Sequence, residues 1–281
     1  MGVRRIIGFV ALSVVAAACS SGGGSETPSS TASTPSVAST LSPITTTFEV
    51  WFDYGEWLFV TERTEQTGER VGTAAVNALL VGPSAPEQAA GVGTSIPAGT
   101  ELLGLSIDRG IATVDLSGTF DSGGGSLSMF NRLAQLTYTL TQFPTVDGVN
   151  LRLDGEAVTV FSGEGIILDQ PMTRRSYRDR LPPILVQRPL IGEQVSSPVT
   201  ISGTANVFEA TVSFAILDAE GTEIASGTTM ATCGTGCRGT YSTTVAFTVD
   251  GTQAGTVRVY EASAEDGRPI NVVDIPVVLV P

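Results

Sequence analysis

The side chains available for chemistry in this chain are few in kind. All 15 basic residues are arginine, with no lysine and no histidine. No imidazole base, Ser/His/Asp triad, Ser/Lys dyad, Schiff-base lysine or histidine metal ligand can therefore be assembled. Carboxylate, hydroxyl, thiol and guanidinium remain. Cys233 and Cys237 bracket Gly234-Thr235-Gly236, and the glycines let the backbone fold back until the two Cα atoms come within the ~4.4–6.8 Å that a disulfide needs. The sharper alternatives are a zinc site, which lacks the usual four ligands, and a redox pair, which has only Arg238 nearby to stabilise a thiolate. Arg174, Arg175, Arg178 and Arg180 cluster in an otherwise acidic chain. They either neutralise acidic surface between domains or form a docking site for an anionic polymer or acidic partner. Trp51 and Trp57 suit either a sugar-stacking platform or cross-strand packing. Asp115 and Asp121 lack the spacing of a phosphate loop or an EF-hand, and strand-end turns explain them better. No cofactor and no metal are expected.

The elements that must position these groups follow from hydrophobic period. Phe48–Phe52 and Trp57–Val60 flank Asp53-Tyr54-Gly55 as a hairpin would. Thr73–Val81 carries Ala75, Val76, Leu79 and Leu80 on one helical face, stopped by Gly82-Pro83. Leu103, Leu105 and Ile107 alternate into Asp108-Arg109-Gly110, and Ala112, Val114 and Leu116 alternate back, which is a second hairpin. A Gly-rich loop leads into a helix over Ser126–Phe143 with the stripe Met129, Leu133, Leu136, Leu140, Phe143, ended by Pro144. Strands follow at Val149–Leu153 and Val158–Phe161. Residues 44–170 thus read as an α+β domain, with helices on one face of the strands. Residues 171–183 form an Arg-rich linker. Residues 184–281 show seven strand-like runs separated by turns such as Asp250-Gly251, which predicts an all-β immunoglobulin-like sandwich. With no cysteine pair between sheets, its core must be held by apolar packing.

The N-terminus reads as an address. Arg4 and Arg5 precede an apolar run, Ile6–Ala18, too short for the ~20 residues that cross a bilayer but right for a secretory signal. Ala16-Ala17-Ala18-Cys19 followed by Ser-Ser-Gly-Gly-Gly resembles the lipobox of bacterial lipoproteins, which implies acylation of Cys19 and a palmitate-type anchor in the membrane. Ala16 stands where that motif usually has Leu, and ordinary cleavage after Ala18 with free secretion is the alternative. Loss of residues 1–18 removes two arginines and no acid, leaving a net charge of −15. Such a polyanion has the wrong sign for nucleic acid and for anionic lipid or wall polymer. Residues 19–43 are mostly Ser, Thr, Gly, Pro and Ala, with one charge at Glu26 and almost nothing to bury, a flexible tether spanning roughly 25–30 Å.

Ala78–Pro83, Ser95–Thr100, Val114–Ser117 and Thr139–Pro144, followed by Asp154-Gly155, together resemble the GerMN family of sporulation and spore germination proteins. The resemblance implies an exported envelope protein. It also implies a domain akin to the ring-building modules of sporulation and secretion complexes, and hence self-association through this domain. Ser197–Ala205, Val207–Val212 and Val259–Ser263 followed by Asp266-Gly267 resemble the immunoglobulin-like domain that accompanies GerMN in bacterial spore germination proteins. Glu209 and Glu261 lie in these motifs. Facing carboxylates would bind Ca²⁺ or act as an acid/base pair, and the structural alternative is that they accept backbone N–H groups at a bulge or strand end.

The expectation is a non-catalytic lipoprotein at the extracytoplasmic face of the cell membrane, a binding or assembly module in sporulation, germination or cell-wall processes. Its partner would be an envelope protein or peptidoglycan. The rivals are a carboxylate-dependent wall hydrolase and an accessory sensor for a membrane kinase or transporter. A carboxylate of strongly raised pKa in a cleft would favour the hydrolase, and an open edge strand the binder.

Overall fold

The structure, a computed structural model, describes residues 45–66, 68 and 70–281. The signal segment 1–18, Cys19, the tether to residue 43 and Ile44 lie outside the described residues. The first module opens on an antiparallel hairpin, β1 (Thr45–Tyr54) and β2 (Trp57–Gln66), turned at Gly55-Glu56. Gly55 there takes φ 63°, which disfavours any Cβ. Next come α1 (Val71–Val81), the short α2 (Ala85–Ala89) and β3 (Val92–Gly93). They are followed by β4 (Leu102–Asp108), β5 (Ile111–Leu116) and α3 (Ser126–Leu140). The module ends with β6 (Gly148–Leu153), β7 (Glu156–Ala157) and a small ladder of β8 (Val160–Phe161) with β9 (Ile166–Ile167). Its main strands divide between two sheets, β2-β1-β3 and β4-β5-β6-β7. Helix α3 stops at Leu140 rather than Phe143, since Phe143 precedes Pro144 and is steered away from helical backbone.

From Asn131 to Leu140 every residue of α3 is buried. A helix sunk on all sides is ordinarily apolar throughout. Here the stripe Met129, Leu133, Leu136 and Leu140 fills the core, while Arg132, Gln135 and Thr139 bond to the backbones around them. Thr139 Oγ1 accepts the Trp51 N–H at 3.1 Å. Gln142, just past the helix, accepts the Glu49 N–H at 2.6 Å and donates to the Glu49 carbonyl at 2.7 Å. These bonds close the edge of β1 that β3 covers only at Asp53 and Tyr54. An uncovered edge of that length would template another strand.

The second module comprises β10 (Ile184–Arg188), β11 (Gln194–Ser196), β12 (Val199–Ala205), β13 (Thr211–Leu217), β14 (Glu223–Met230), β15 (Gly239–Val245), β16 (Gln253–Ala262) and β17 (Pro269–Val280). They form the two sheets of a sandwich, β10-β12-β15 and β11-β17-β16-β13-β14. Strand β12 alternates buried Val199, Ile201, Gly203 and Ala205 with more exposed residues, as a half-buried strand does. Strand β11, parallel to β17, was not expected: three residues are too few to show a period. The fold is therefore α+β followed by an immunoglobulin-like sandwich.

The stretch read as a linker is docked. Met172 exchanges backbone bonds of 2.8 and 2.9 Å with Val149, and Tyr177 is buried. Strand β10 then runs beside β2, where Arg188 pairs with Glu62 at 2.6 Å and Gln187 donates to Glu49 at 3.5 Å. One buried apolar cluster continues through both modules, which form a single compact unit. Among the described residues no helix is long and apolar enough to cross a membrane.

Candidate functional site

Where the modules join, a cleft of about 700 Å³ opens. Its walls come from three places far apart in sequence. Trp57 opens β2 immediately after the tight turn and is half-buried. Arg178, Asp179 and Leu181 come from the 3₁₀ segment Arg174–Arg180 and its exit. Asn206, Gly236, Cys237 and Arg238 come from the sandwich.

The 3₁₀ segment is fixed at both ends. Thr173 and Ser176 cap its start, with the Thr173 N–H reaching Ser176 Oγ at 3.2 Å. Arg174 lies against two rings, its guanidinium carbon 4.9 Å from the Tyr138 centroid and 5.5 Å from that of Trp51. It also donates to Thr141 Oγ1 at 3.0 Å and to the Tyr138 carbonyl at 3.2 Å, and Glu49 Oε2 stands 3.8 Å away. The Arg174 side chain stays 42 % exposed, and cation–π contact at such a site contributes about 0.5–1 kcal/mol. Tyr177 is buried behind the segment, and that burial pushes its phenol well above the usual range. Arg180 is drawn to Asp179 at 3.2 Å. Arg175 and Arg178 are exposed and make no ion pair among the described residues, and of these two only Arg178 lines the cleft. The four clustered arginines therefore divide into one structural anchor, one paired side chain and two guanidinium groups facing solvent.

The opposite wall is braced by Arg238. It donates to the Thr204 carbonyl at 3.2 Å and to Thr204 Oγ1 at 3.1 Å, and makes a short contact with the Pro182 carbonyl. Burial lowers its pKa. Cys233 and Cys237 are joined with Cα atoms 5.7 Å apart. Their loop presents Gly236, at φ 99°, to Asn206, whose Oδ1 accepts the Gly236 N–H at 2.9 Å. The disulfide loop thus supplies a wall of the site. Of the polar side chains lining the cleft, Asp179, Asn206 and Arg238 are those that the sequence did not mark as site residues. Only the position of Arg238, next to Cys237, hinted at its involvement.

The other candidates fall elsewhere. Trp51 is 2 % exposed and packs on Tyr138 at 4.7 Å between centroids, so it offers no platform. Glu261 accepts the Phe208 N–H at 2.8 Å and the Asn271 amide at 2.8 Å, which commits both carboxylate oxygens. Glu209, at φ 53°, lines a shallow hollow with Phe208 and Thr211. Asp115 accepts the Gly155 N–H at 3.0 Å, a turn contact. A hollow of about 370 Å³ on β6 carries Asn150 and Arg152, but Arg152 is tied to the Gly155 carbonyl. Among the described residues the carboxylate with a strongly raised pKa is Asp53, pushed up to about 6 chiefly by burial, with Ser95 hydrogen bonds opposing the shift. It lines none of these cavities. Among the described residues no group of three or more His, Cys, Asp or Glu is placed to hold a metal.

Comparison with known proteins accords with this order of domains. Residues 26–159 match the family described as sporulation and spore germination, and residues 183–268 match the immunoglobulin-like domain of bacterial spore germination. No curated protein matches the sequence. Among solved structures, the tandem GerMN domains of the sporulation protein GerM from Bacillus subtilis align at 19% identity over 66% of this chain and 60% of that one, with a TM-score of 0.42. The first GerMN domain of the same protein aligns at 21% identity over 46% of this chain and 98% of that one, with a TM-score of 0.37. This chain spans 60% of the length of the tandem-domain structure. The chain carries, in order, a sporulation and spore germination domain of the GerMN type and an immunoglobulin-like domain of bacterial spore germination.

Proposed function

We propose that this protein is a non-catalytic recognition module of the bacterial envelope, held at the outer face of the cytoplasmic membrane by a lipid on Cys19, which takes an anionic partner into the junction cleft. One observation carries the reading. In a chain of net charge −13, the exposed guanidinium of Arg178, which pairs with no carboxylate among the described residues, lines a cavity together with the half-buried ring of Trp57. A guanidinium fork beside an aromatic face suits a carboxylate attached to a flat apolar group. Acidic protein segments and the carboxylated peptides and sugars of the wall share that chemistry. Among the described residues the strongly raised carboxylate is Asp53, which is buried and lines none of the cavities described, and this supports recognition over hydrolysis.

The test is crosslinking capture from intact cells, comparing the natural chain with Trp57→Ala/Arg178→Gln. Losing a charged hydrogen bond and a ring contact weakens binding by about 10–100-fold, so the variant should recover neither the protein nor the wall fragment that the natural chain holds. Equal recovery by both chains would remove the cleft from the function. Radiolabelled palmitate should enter the natural chain and not Cys19→Ser, and absence of label from both would remove the anchor.

A further inference from the structure

Strand β6 pairs with β5 along one edge, and its other edge is shared between two later segments. On that outer edge Val149 exchanges bonds of 2.9 and 2.8 Å with Met172, and two residues on the Leu151 carbonyl accepts the Val158 N–H at 3.1 Å. Backbone groups two apart on a strand point to the same edge. The Leu151 N–H is therefore aimed between the segments that carry Val158 and Met172. Among the described residues it has no hydrogen-bond partner, although Leu151 is only 3 % exposed. A buried backbone N–H is almost always bonded, so one left over calls for a ligand or a water.

The donor opens into the hollow of about 370 Å³ on β6, a volume near the lower end of the ~300–1,000 Å³ of ligand pockets. Thr113, Asn150, Thr159, Asp169 and Gln170 line it, and among the described residues none of these side chains has a hydrogen-bond partner. Together they offer both donors and acceptors. Leu168 and Pro171 add a half-buried apolar strip. Arg152 and Asp169 contribute one charge of each sign, so the lining is balanced where that of the junction cleft favours an anion.

We propose that this hollow binds a single ring of an N-acetylated amino sugar, whose acetamido carbonyl accepts the Leu151 N–H. The acetamido methyl then lies on the strip of Leu168 and Pro171. Ring hydroxyls, each both donor and acceptor, satisfy Asn150, Asp169 and their neighbours. An extended peptide fits less well, because strand addition needs a run of free N–H and C=O groups. This edge offers one N–H between two occupied positions. An anion would meet Asp169 as well as Arg152. The hollow shares no residue with the junction cleft, so either reading can fail without the other.

The test titrates N-acetylglucosamine into the isotopically labelled full chain and follows the backbone amides by NMR. The Leu151 amide proton should move downfield to saturation. Glucose, which lacks the acetamido group, should bind at least about tenfold more weakly, the effect of losing one hydrogen bond and a methyl contact. Asn150→Ala/Asp169→Ala should weaken N-acetylglucosamine by a similar factor while amides outside the hollow stay in place, since both side chains are exposed and unbonded. A Leu151 amide that stays put at every sugar concentration would mean that an ordered water alone satisfies it. Equal binding of glucose, or equal affinity in the double variant, would likewise overturn the proposal.

Discussion

Glu87→Ala should lower the unfolding free energy by about 3–5 kcal/mol, the range for removing one partner of a buried ion pair. Glu87 is 4 % exposed. It receives Arg63 through both guanidinium nitrogens, at 2.8 and 2.6 Å, Thr61 Oγ1 at 2.5 Å and the Ser84 N–H at 2.6 Å. That last bond caps α2, so a single carboxylate ties β2 to the helix that faces Gly192 of the sandwich. Burial by itself would raise the pKa of Glu87. The bonds from Arg63, Thr61 and Ser84 outweigh it and hold the group at about 2, below its ordinary 4.5. A depressed carboxylate pKa contributes stability that is full above the unfolded value and is lost as pH falls through the folded one. The contribution of about 3 kcal/mol should therefore persist at pH 5 and disappear between roughly pH 4.5 and 2. Urea titration followed by tryptophan fluorescence suits the measurement, since Trp51 and Trp57 both lie in the first module. Asp274→Ala, which breaks the half-exposed Arg258 pair, should cost less than about 1 kcal/mol. Arg63→Met/Glu87→Leu should cost less than Glu87→Ala, because it leaves no charge stranded. Equal losses for Glu87→Ala and Asp274→Ala would refute the ranking.

The first module shows how far a period can be read. The β4/β5 hairpin and the helices α1 and α3 were legible because each carries one apolar face and a turn or proline at its end. The surroundings of α3 were not. Its stripe identifies the helix, but Arg132, Gln135 and Thr139 look like a solvent face until the neighbouring backbones they bond, at Phe120, Ser95 and Trp51, are in place. The four clustered arginines were visible as charge, yet proximity in sequence says nothing of direction within a 3₁₀ turn. Arg174 goes under two aromatic rings, and Arg178 faces the cleft. The cleft could not be read at all. Trp57, Arg178, Asn206 and Cys237 meet only because the Arg-rich segment docks onto the first module and β10 lies beside β2. Those contacts are properties of the assembled unit, and no local pattern encodes them.

The opposite sign is expected at Asp53. The residue is 6 % exposed, its Oδ2 accepts Ser95 Oγ at 2.6 Å, and its Oδ1 has no partner. Burial raises its pKa from 3.8 to about 6 against the opposing Ser95 bonds. Between those values the unfolded chain releases a proton that the folded chain keeps, so rising pH favours unfolding until the folded group ionises as well. At pH 7 the accumulated cost is about 3 kcal/mol. Asp53→Asn preserves the shape and an oxygen for the Ser95 hydroxyl while removing the charge. It should therefore stabilise the protein at pH 7 by about 2–3 kcal/mol, with the gain fading as pH falls from about 6 to 4 and gone below that. Paired urea titrations at pH 4 and pH 7 read this directly. A gain independent of pH, or a loss at pH 7, would show that Asp53 is not desolvated in the way its surroundings imply. Asp53 lines none of the cavities described above, and its burial makes it a site where charge costs stability.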